Sequence, residues 1–266
     1  MKIGIVTYFD ICNYGSVLQA YAMKRALSLL GYDAVFLNIK EEKWSTKYLH
    51  KLYVGLITVI KCITNKEALK THCEIRSLRR KNISFVSKEC RHKFNDFIKI
   101  NLPSLTIDRI SLRRRSKGDE FGAFICGSDQ IWSPLSLSLS SHKFLEFAPM
   151  EKRIAYAPSF GVEEIPSYNR NHVYRALKKF DSISVREISG ANIIKKLIGK
   201  DVPIVLDPTM LFDGDEWRML YREHAGYMEK ENYILCYFFD EPEEEILDLI
   251  LSFSKEKKTK HCCAVR

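Results

Sequence analysis

The fold is decided at the start of the chain, where residues 1–40 are MKIGIVTYFDICNYGSVLQAYAMKRALSLLGYDAVFLNIK. The apolar run 2–8 predicts a strand, and apolar residues at helical spacing over 16–30 predict a helix that Gly31 ends. Residues 33–38 predict a second strand. Strand, helix and strand in this order form a βαβ unit, which predicts an α/β fold around a parallel sheet.

Four more strand signals follow, at residues 121–126, 153–157, 182–185 and 204–206, with helical patterns such as 168–179 and 189–198 between them. This alternation predicts a parallel sheet with right-handed crossovers, whose strands all end at one edge. Open α/β sheets bind ligands at that edge. We therefore expect one crevice, lined by polar residues that follow the strands: Asn13, Ser128, Asp129, Gln130, Ser159, Arg186 and Asp207.

The start of the first helix is a second candidate feature. Asn13, Gly15 and Ser16 stand where free backbone N–H groups and the helix macrodipole favour an anion or a sugar hydroxyl. Simple capping of the helix by Asn or Ser is the alternative. The loop lacks Gly-x-Gly-x-x-Gly, which disfavours a dinucleotide site.

The segment from residue 41 to about 115 is basic and contains Gly55 as its one glycine. Its apolar residues keep a helical stripe, and we expect a helical insertion packed on the sheet. The apolar run 52–63 includes Lys61 and is shorter than the roughly 20 residues that a membrane-spanning helix needs. Contact with a membrane surface or an acceptor is the alternative to packing.

Composition narrows the class of partner. The formal net charge of +9 favours an acidic partner, such as nucleic acid, an anionic membrane surface or a phosphorylated substrate. No nucleic-acid-binding motif is present, so we expect no nucleic acid partner. None of the eight cysteines forms Cys-x-x-Cys, which predicts reduced thiols in a cytoplasmic protein. The amino terminus runs directly into a strand, so we expect no signal peptide. We expect no metal site.

The last part of the chain begins a second α/β unit. Residues 213–221 predict a linking helix, 233–239 a strand and 243–253 a helix. One strand with one helix cannot enclose a core. We therefore predict two domains, 1–212 and 213–266, the second of them incomplete.

Six short motifs now stand in order along the chain, and together they span most of residues 1–213. With these motifs the chain resembles the polysaccharide pyruvyl transferase family, and the Gly-Ser-Asp-Gln-x-Trp block is the most specific of them. The motifs are GIVTY at 4–8, NYGSVLQA at 13–20, GSDQIW at 127–132, AYAPSFG at 155–161, SVRE at 184–187 and VLDPT at 205–209.

The resemblance implies two Rossmann-like domains facing a cleft, as in GT-B glycosyltransferases, here with the second domain truncated. It implies a transferase that moves pyruvate from phosphoenolpyruvate, as a ketal, to a sugar of a surface polysaccharide or its precursor. Phosphoenolpyruvate would be a co-substrate, and no cofactor is needed. The implied acceptor is a lipid-linked or nucleotide-linked sugar. The implied location is the cytoplasm, with peripheral contact at the inner face of the membrane as an open alternative.

The resemblance also assigns roles to residues. Arg186 is expected to hold an anionic group, with a structural ion pair as the alternative, because the arginine fork pairs well with phosphate and carboxylate. Asp129 is expected to orient or deprotonate the acceptor hydroxyl, with capping of the following turn as the alternative. Cys126 is expected to be a core thiol. Trp132 either stacks on a sugar or packs in the core. The expected substrate-binding residues are Asn13, Gly15, Ser16, Gln19, Ser128, Gln130, Trp132, Ser159, Glu187 and Asp207.

One motif of the family has no counterpart here. A Ser-x-His-Gly type segment supplies the family's expected general acid, and we expect that group to lie beyond Arg266. Whether this chain is itself active is therefore left open. Two other functions remain as alternatives. One is a GT-B-type glycosyltransferase that uses a nucleotide sugar, and the other is a non-catalytic remnant that binds a glycan or a protein.

Overall fold

The computed structural model of the chain describes residues 1–40, 44–81, 88–224, 233–238, 242–257 and 260–265. The chain divides into two compact units, Met1–Phe212 and Asp213–Arg266. Among the described residues, no helix is long and apolar enough to cross a membrane.

The first unit is built on a six-stranded sheet in which every neighbouring pair is parallel. Its order, β3-β2-β1-β4-β5-β6, is the Rossmann order, and the chain changes direction across the sheet between β1 and β4. The α/β fold with a parallel sheet is thus confirmed. The strands are β1 Lys2–Val6, β2 Asp33–Lys40, β3 Ser104–Asp108, β4 Phe121–Cys126, β5 Arg153–Ala155 and β6 Ser182–Ile183.

Helices cover both faces of this sheet. One face packs against the helices that follow β1 and precede β3, and the other packs against the helices that follow β3, β5 and β6. Three 3-10 turns, Ser141–Phe144, Met150–Lys152 and Pro208–Met210, lie in the loops. The helices are α1 Tyr14–Leu29, α2 Trp44–Thr64, α3 Lys66–Lys81, α4 Lys88–Asn101, α5 Arg109–Ser116, α6 Ser167–Leu177 and α7 Ile188–Ile198.

The prediction that residues 41–115 are entirely helical is wrong at β3. Ser104–Asp108 pairs in parallel with β2, from Phe36 opposite Ser104 to Lys40 opposite Asp108. The physical reason is a short period-two pattern after Pro103, in which Leu105 and Ile107 point to the same face of the sheet. Five residues of this pattern are easily masked by the long helices that surround them.

The inserted helices α2 and α3 are docked on α6. Glu67 of α3 accepts hydrogen bonds from the backbone nitrogen and the hydroxyl of Ser167, at 3.1 and 2.8 Å. Asn65 donates to the same hydroxyl at 2.8 Å. Helix α4 instead packs on α1, where the Tyr14 and Phe94 rings lie 4.7 Å apart.

The second unit contains α8 Gly214–His224, β7 Tyr233–Phe238, α9 Glu244–Glu256 and β8 Lys260–Val265. Strands β7 and β8 pair in parallel, from Tyr233 opposite Lys260 to Phe238 opposite Val265. The sequence analysis predicted β7 and interpreted the last residues as a basic tail. That interpretation missed β8, because the lysines around residue 257 conceal the short strand pattern that follows them.

Candidate active site at the strand ends

The loops that follow β1 and β4 meet at the point where the sheet reverses its order. Gly127 donates from its backbone to the oxygen of Val6 at 3.2 Å, which continues the pairing of the two strands. The hydroxyl of Ser16 donates to Oδ2 of Asp129 at 2.6 Å, and the backbone nitrogen of Ser128 donates to Oε1 of Gln19 at 3.1 Å. Motifs more than 100 residues apart are therefore joined in one cluster.

Gln19 links the residues of this cluster through hydrogen bonds. Its Nε2 group lies within hydrogen-bond distance of the Thr7 hydroxyl and the Tyr8 and Ser16 backbone oxygens, at 3.0, 3.0 and 2.8 Å. Its side chain is buried, and its oxygen is already used by Ser128. The structure therefore places Gln19 as a brace between two loops.

Gly127 allows the loop after β4 to pass directly against the loop after β5. Its φ is +121°, and a Cβ added here would lie 2.0 Å from the backbone oxygen of Tyr156. A side chain would collide with backbone in a conformation that L residues rarely adopt. Glycine at this position is thus what brings Ser128 within reach of the other strand ends.

Asp207 is the centre of the polar contacts. Its Oδ2 accepts hydrogen bonds from the Ser128 hydroxyl at 2.6 Å and from Nη1 of Arg186 at 3.1 Å. Its Oδ1 accepts from the backbone nitrogen and the hydroxyl of Thr209, at 3.0 and 2.8 Å. A parallel bridge between Val185 and Ile204 sets the two chain segments side by side and so places Arg186 beside Asp207.

The contacts keep this pair charged. Burial alone would raise the pKa of Asp207, but hydrogen bonds from Ser128, Thr209 and Arg186 outweigh it and lower the pKa. Burial likewise opposes the charge of Arg186, yet its bonds to Asp207 and Glu187 raise the arginine pKa. The charge on Asp207 also adds to burial in raising the pKa of Tyr156.

Arg186 makes the ion pairs that the alternative interpretation anticipated. Its Nε lies 3.1 Å from Oε1 of Glu187, and its Nη1 lies 3.1 Å from Asp207. These two contacts fix the plane of the guanidinium. Its Nη2 group has no hydrogen-bond partner among the described residues, and the side chain is 30% exposed. The N–H groups of Nη2 are therefore available to a ligand.

Asp129 has contacts that fit both of its proposed roles. It adopts a left-handed conformation with a φ of 58°, and its Oδ1 accepts from the backbone nitrogen of Gln130 at 2.8 Å, which caps the turn. Its Oδ2 points to Ser16, and its side chain remains partly exposed. Its backbone oxygen accepts from Ser159 at 2.8 Å, which links it to the loop after β5.

Trp132 does not line the crevice. Its side chain is fully buried, its ring lies 5.3–5.5 Å from those of Phe144, Phe160 and Phe180, and its Nε1 donates to the oxygen of Lys143 at 3.2 Å. The structure thus corrects the assignment of Trp132 as a sugar-binding residue in favour of the core alternative, because an indole with all its faces packed has no surface for a ligand.

Cys126 is a core thiol, as expected. Its side chain is completely buried at the end of β4, and burial raises the pKa of the thiol well above its usual range. A thiol in this environment stays protonated and does not act as a nucleophile.

The other predicted residues fall into two groups by exposure. Ser16, Gln19, Ser128 and Ser159 are buried and engaged in hydrogen bonds, so that they position the loops. The remaining predicted residues reach solvent at least in part and are the ones that a ligand can contact: Asn13, Gly15, Asp129, Gln130, Arg186, Glu187 and Asp207. Asn13 also caps α1 by accepting from the backbone nitrogen of Ser16 at 3.0 Å.

Sequence reasoning missed Lys143, which contacts Tyr8 just after the end of β1. Its ammonium lies 4.4 Å from the centre of the Tyr8 ring and donates to the Tyr8 hydroxyl. The only available signal was a lone lysine after a serine-rich loop, since the contact spans 135 residues of sequence. Tyr156, whose pKa responds to Asp207, lies within a quoted motif but had no assigned role.

No group of three or more His, Cys, Asp or Glu side chains that could hold a metal ion occurs in the part of the chain that the structure describes. Comparison with curated proteins and with solved structures finds no match. A family model described as polysaccharide pyruvyl transferase matches residues 13–265. That match covers nearly the whole chain and includes five of the six motifs, since only GIVTY at 4–8 precedes it. The chain therefore belongs to the polysaccharide pyruvyl transferase family, as a transferase with a polysaccharide acceptor.

Proposed function

We propose that this protein transfers pyruvate from phosphoenolpyruvate to two hydroxyls of one sugar in a surface polysaccharide or its precursor. The family supports pyruvyl transfer, and the geometry supplies the single observation that favours this function most. The charged guanidinium of Arg186, whose Nη2 has no partner among the described residues, stands beside partly exposed carboxylates, and Asp207 joins it to Ser128 in the loop after β4. Open α/β sheets bind their ligands beyond the carboxyl ends of their strands, where these loops lie.

The proposed reaction balances without a redox step. The methylene carbon of phosphoenolpyruvate gains a proton, and the first sugar hydroxyl bonds through its oxygen to C2 and loses its proton. The bond from C2 to the phosphate oxygen then breaks, and phosphate leaves with the bonding electrons. The second hydroxyl bonds to C2 and closes the ketal. One of the two hydroxyl protons accounts for the proton on the new methyl group, and the other leaves with phosphate.

Arg186 is proposed to hold the carboxylate or phosphate of phosphoenolpyruvate. Guanidinium donors in a fixed plane suit both groups, and they stabilise the negative charge that the leaving phosphate develops. Asp207 and Glu187 each lie 3.1 Å from one side of the fork, so the free Nη2 edge is held in one direction. This arrangement lowers the entropy that Arg186 would lose when a ligand binds.

Asp129 is proposed to accept a hydrogen bond from an acceptor hydroxyl. A carboxylate that is held by Gln130 and Ser16 cannot swing away, so it can orient a hydroxyl and take its proton as the bond to C2 forms. Asp129, Glu187 and Asp207 give this crevice three carboxylates, which suits the hydroxyls of a sugar.

Peripheral contact with the inner face of the membrane, and a lipid-linked acceptor, are also proposed. Six large apolar side chains on α2 are each at least half exposed, and each lies three or four residues from another of them: Tyr48, Leu52, Leu56, Val59, Ile60 and Ile63. Exposed lysines stand on the same helical hairpin, at Lys51, Lys66 and Lys70. An apolar stripe flanked by lysines is the pattern of a helix that lies in the interface of an anionic bilayer.

The direct test of the proposed reaction is turnover with phosphoenolpyruvate and a panel of saccharide acceptors. We expect release of phosphate together with a pyruvate ketal that is visible by mass spectrometry. Arg186→Ala should lower kcat/KM about a hundredfold or more, since it removes a donor to developing charge. Arg186→Lys should retain part of the activity, and Arg175→Ala, which removes an exposed arginine of α6, should retain all of it.

Two outcomes would replace the proposal. Turnover of a nucleotide sugar, with no phosphate released from phosphoenolpyruvate, would support a GT-B-type glycosyltransferase. Saccharide binding with neither reaction would support the non-catalytic alternative.

The membrane contact has its own test, which is sedimentation of the protein with vesicles that contain anionic lipids. At low salt we expect co-sedimentation, and the double variant Leu56→Ser, Ile60→Ser should lose it. Ile188→Ser removes an exposed apolar side chain of α7 and serves as the control. Failure of the unmodified protein to sediment with anionic vesicles at low salt would refute the contact.

A further inference from the structure

A cleft of about 1050 Å³ lies on the inner side of α2, apart from the strand-end cluster. Its walls are α2, α3, the first residue of α5, α6 and the loop 136–141. None of the residues expected from sequence to bind substrate lines it. No motif predicted it, because its side chains come from five separate segments of the chain.

The cleft has a basic lining of three cationic side chains and two histidines, of which His172 lies 3.4 Å from Oε1 of Glu146. Five basic residues face it, and the lining residues include no aspartate or glutamate in the described part of the chain. The five are Lys61, His72, Arg76, Arg109 and His172. Such a wall attracts an anion, and it disfavours a cationic or a purely apolar ligand.

Two of these cations are uncompensated. Neither Arg76 nor Arg109 has an ion-pair or hydrogen-bond partner among the described residues, and Nε of Arg109 is buried without any partner. Buried polar groups are almost always hydrogen-bonded, and a buried donor left unsatisfied is costly. An anion in the cleft would give the two guanidinium groups the ion-pair partner that they lack among the described residues.

The loop 136–141 adds hydroxyl groups to the lining. Ser138 and Ser141 line the cleft, and their hydroxyls form no hydrogen bond with any described residue. The loop that bears them is held by two side chains that also line the cleft, Lys61 and Asn169. Lys61 donates to the oxygen of Leu137 at 2.8 Å and to Oδ1 of Asn169 at 2.7 Å.

Asn169 completes this support by donating to the backbone oxygens of Pro134 and Ser136, both at 2.7 Å. The backbone oxygens of Pro134, Ser136 and Leu137 are thus satisfied within the protein, while the hydroxyls of Ser138 and Ser141 remain available. A loop held in advance loses less entropy when a ligand binds, which favours recognition by these hydroxyls.

Apolar surface completes the lining. Tyr53, Ile57 and Ile75 project from α2 and α3 into the same space. Ligand sites commonly combine apolar walls with a few placed polar groups, and this volume accommodates a molecule of two or three sugar rings. Pyranose rings have apolar C–H faces and polar edges, so they match walls of both kinds.

We propose that this cleft binds an anionic saccharide. The arginines Arg76 and Arg109 pair with its carboxylate or phosphate, and Ser138 and Ser141 hydrogen-bond to its hydroxyls. Only the identity of this saccharide as part of the acceptor rests on the proposed function, since binding in the cleft does not require the transfer reaction.

Calorimetric titration of the full chain tests the proposal without turnover. The probes are a disaccharide that contains a hexuronic acid, a hexose phosphate, a neutral disaccharide and inorganic phosphate. At least one anionic sugar should bind about tenfold more tightly than the neutral disaccharide and than inorganic phosphate. Which of the two anionic sugars binds more tightly distinguishes a carboxylate from a phosphate.

Variants locate the binding in the cleft. Arg109→Ala and Arg76→Ala should each lower the affinity for the anionic sugar about tenfold or more. Arg114→Ala, on the exposed side of α5, should leave that affinity unchanged. Ser138→Ala should lower the affinity for the sugar and leave the affinity for inorganic phosphate unchanged. Circular dichroism of each variant shows whether the fold is retained.

Three results would overturn the proposal. The first is equal affinity for the anionic and neutral sugars, and the second is unchanged affinity in both arginine variants. The third is inorganic phosphate or a nucleoside diphosphate binding more tightly than either anionic sugar, which would mark a simple anion or nucleotide site. None of these results decides whether the transfer reaction occurs, because the turnover assay tests that reaction separately.

Discussion

Replacing Asp207 by asparagine removes one charge from the centre of the strand-end cluster without changing the size of the side chain. The carboxylate accepts four hydrogen bonds, one from Ser128, one from Arg186 and two from Thr209. An amide has one oxygen, so whichever way it is turned, two of these donors face an NH₂ group. The other two bonds lose the contribution of the negative charge.

The expected cost follows from these contacts. A hydrogen bond to a charged group contributes about 1.5–3 kcal/mol, and two are lost in Asp207→Asn. The side chain is 18% exposed, so water can satisfy part of the loss, and Ser128 can turn to the oxygen of Ala157, which lies 3.1 Å from its hydroxyl. We therefore expect a loss of about 2–4 kcal/mol, or about 5–15 °C in Tm for a unit of this size.

Thermal unfolding followed by circular dichroism measures this change. Asp201→Asn is the matched control, because Asp201 is 84% exposed and its one ion pair among the described residues is with Lys195, so the Tm should shift by less than about 3 °C. The difference between wild type and Asp207→Asn should also depend on pH. Because the folded protein lowers the pKa of Asp207, its contribution is present above about pH 4 and is lost as pH falls through the lowered pKa.

Two results would refute this account. Equal shifts in Asp207→Asn and in the control would show that the cluster is solvent-screened. A Tm difference that stays constant down to the lowest pH would show that the pKa of Asp207 is not lowered.

Three further changes test other parts of the fold. Burial and neighbouring positive charges lower the pKa of His142 to about 4, so the free energy of unfolding of wild type should fall by about 2–3 kcal/mol between about pH 6.5 and 4. His142→Gln should remove this pH dependence, and equal pH dependence of unfolding in the two proteins would contradict it. Trp132→Ala should lower the free energy of unfolding in urea by about 3–5 kcal/mol, and a loss below about 1 kcal/mol would argue against a core role. Gly127→Ala should destabilise the protein far more than Gly199→Ala, because only the first Cβ meets backbone, and equal effects would contradict the close approach of the loops.

The parallel sheet was predictable at β4, but the apolar run 204–206, predicted as a strand, forms only an isolated bridge from Ile204 to Val185. The predicted strand 121–126 matches β4, since a fully apolar run that is followed by Gly127 has no competing helical pattern. The edge strand Ser104–Asp108 was missed because its five residues alternate in a stretch dominated by helices. Register and order come from pairing between distant segments, which local patterns do not contain.

The sequence predicted which residues gather at the site better than it predicted how their side chains are oriented. Strand-end logic selected Ser128, Asp129, Arg186 and Asp207, and the sheet does bring them to one edge. It could not show which way a loop residue faces, so Trp132 was assigned to the crevice although its ring is turned into the core. The cleft behind α2 was beyond prediction for the same reason, as it exists only once an inserted hairpin docks on α6.

The central claim, that the strand-end crevice binds phosphoenolpyruvate through Arg186, is tested most directly by phosphorus NMR of phosphoenolpyruvate titrated with the protein. We predict broadening and a shift of its resonance with the wild type, little change with Arg186→Ala, and an unchanged response with Arg175→Ala. A nucleoside diphosphate should not displace the bound phosphoenolpyruvate. An identical response in wild type and Arg186→Ala, or displacement by the nucleoside diphosphate, would contradict the account.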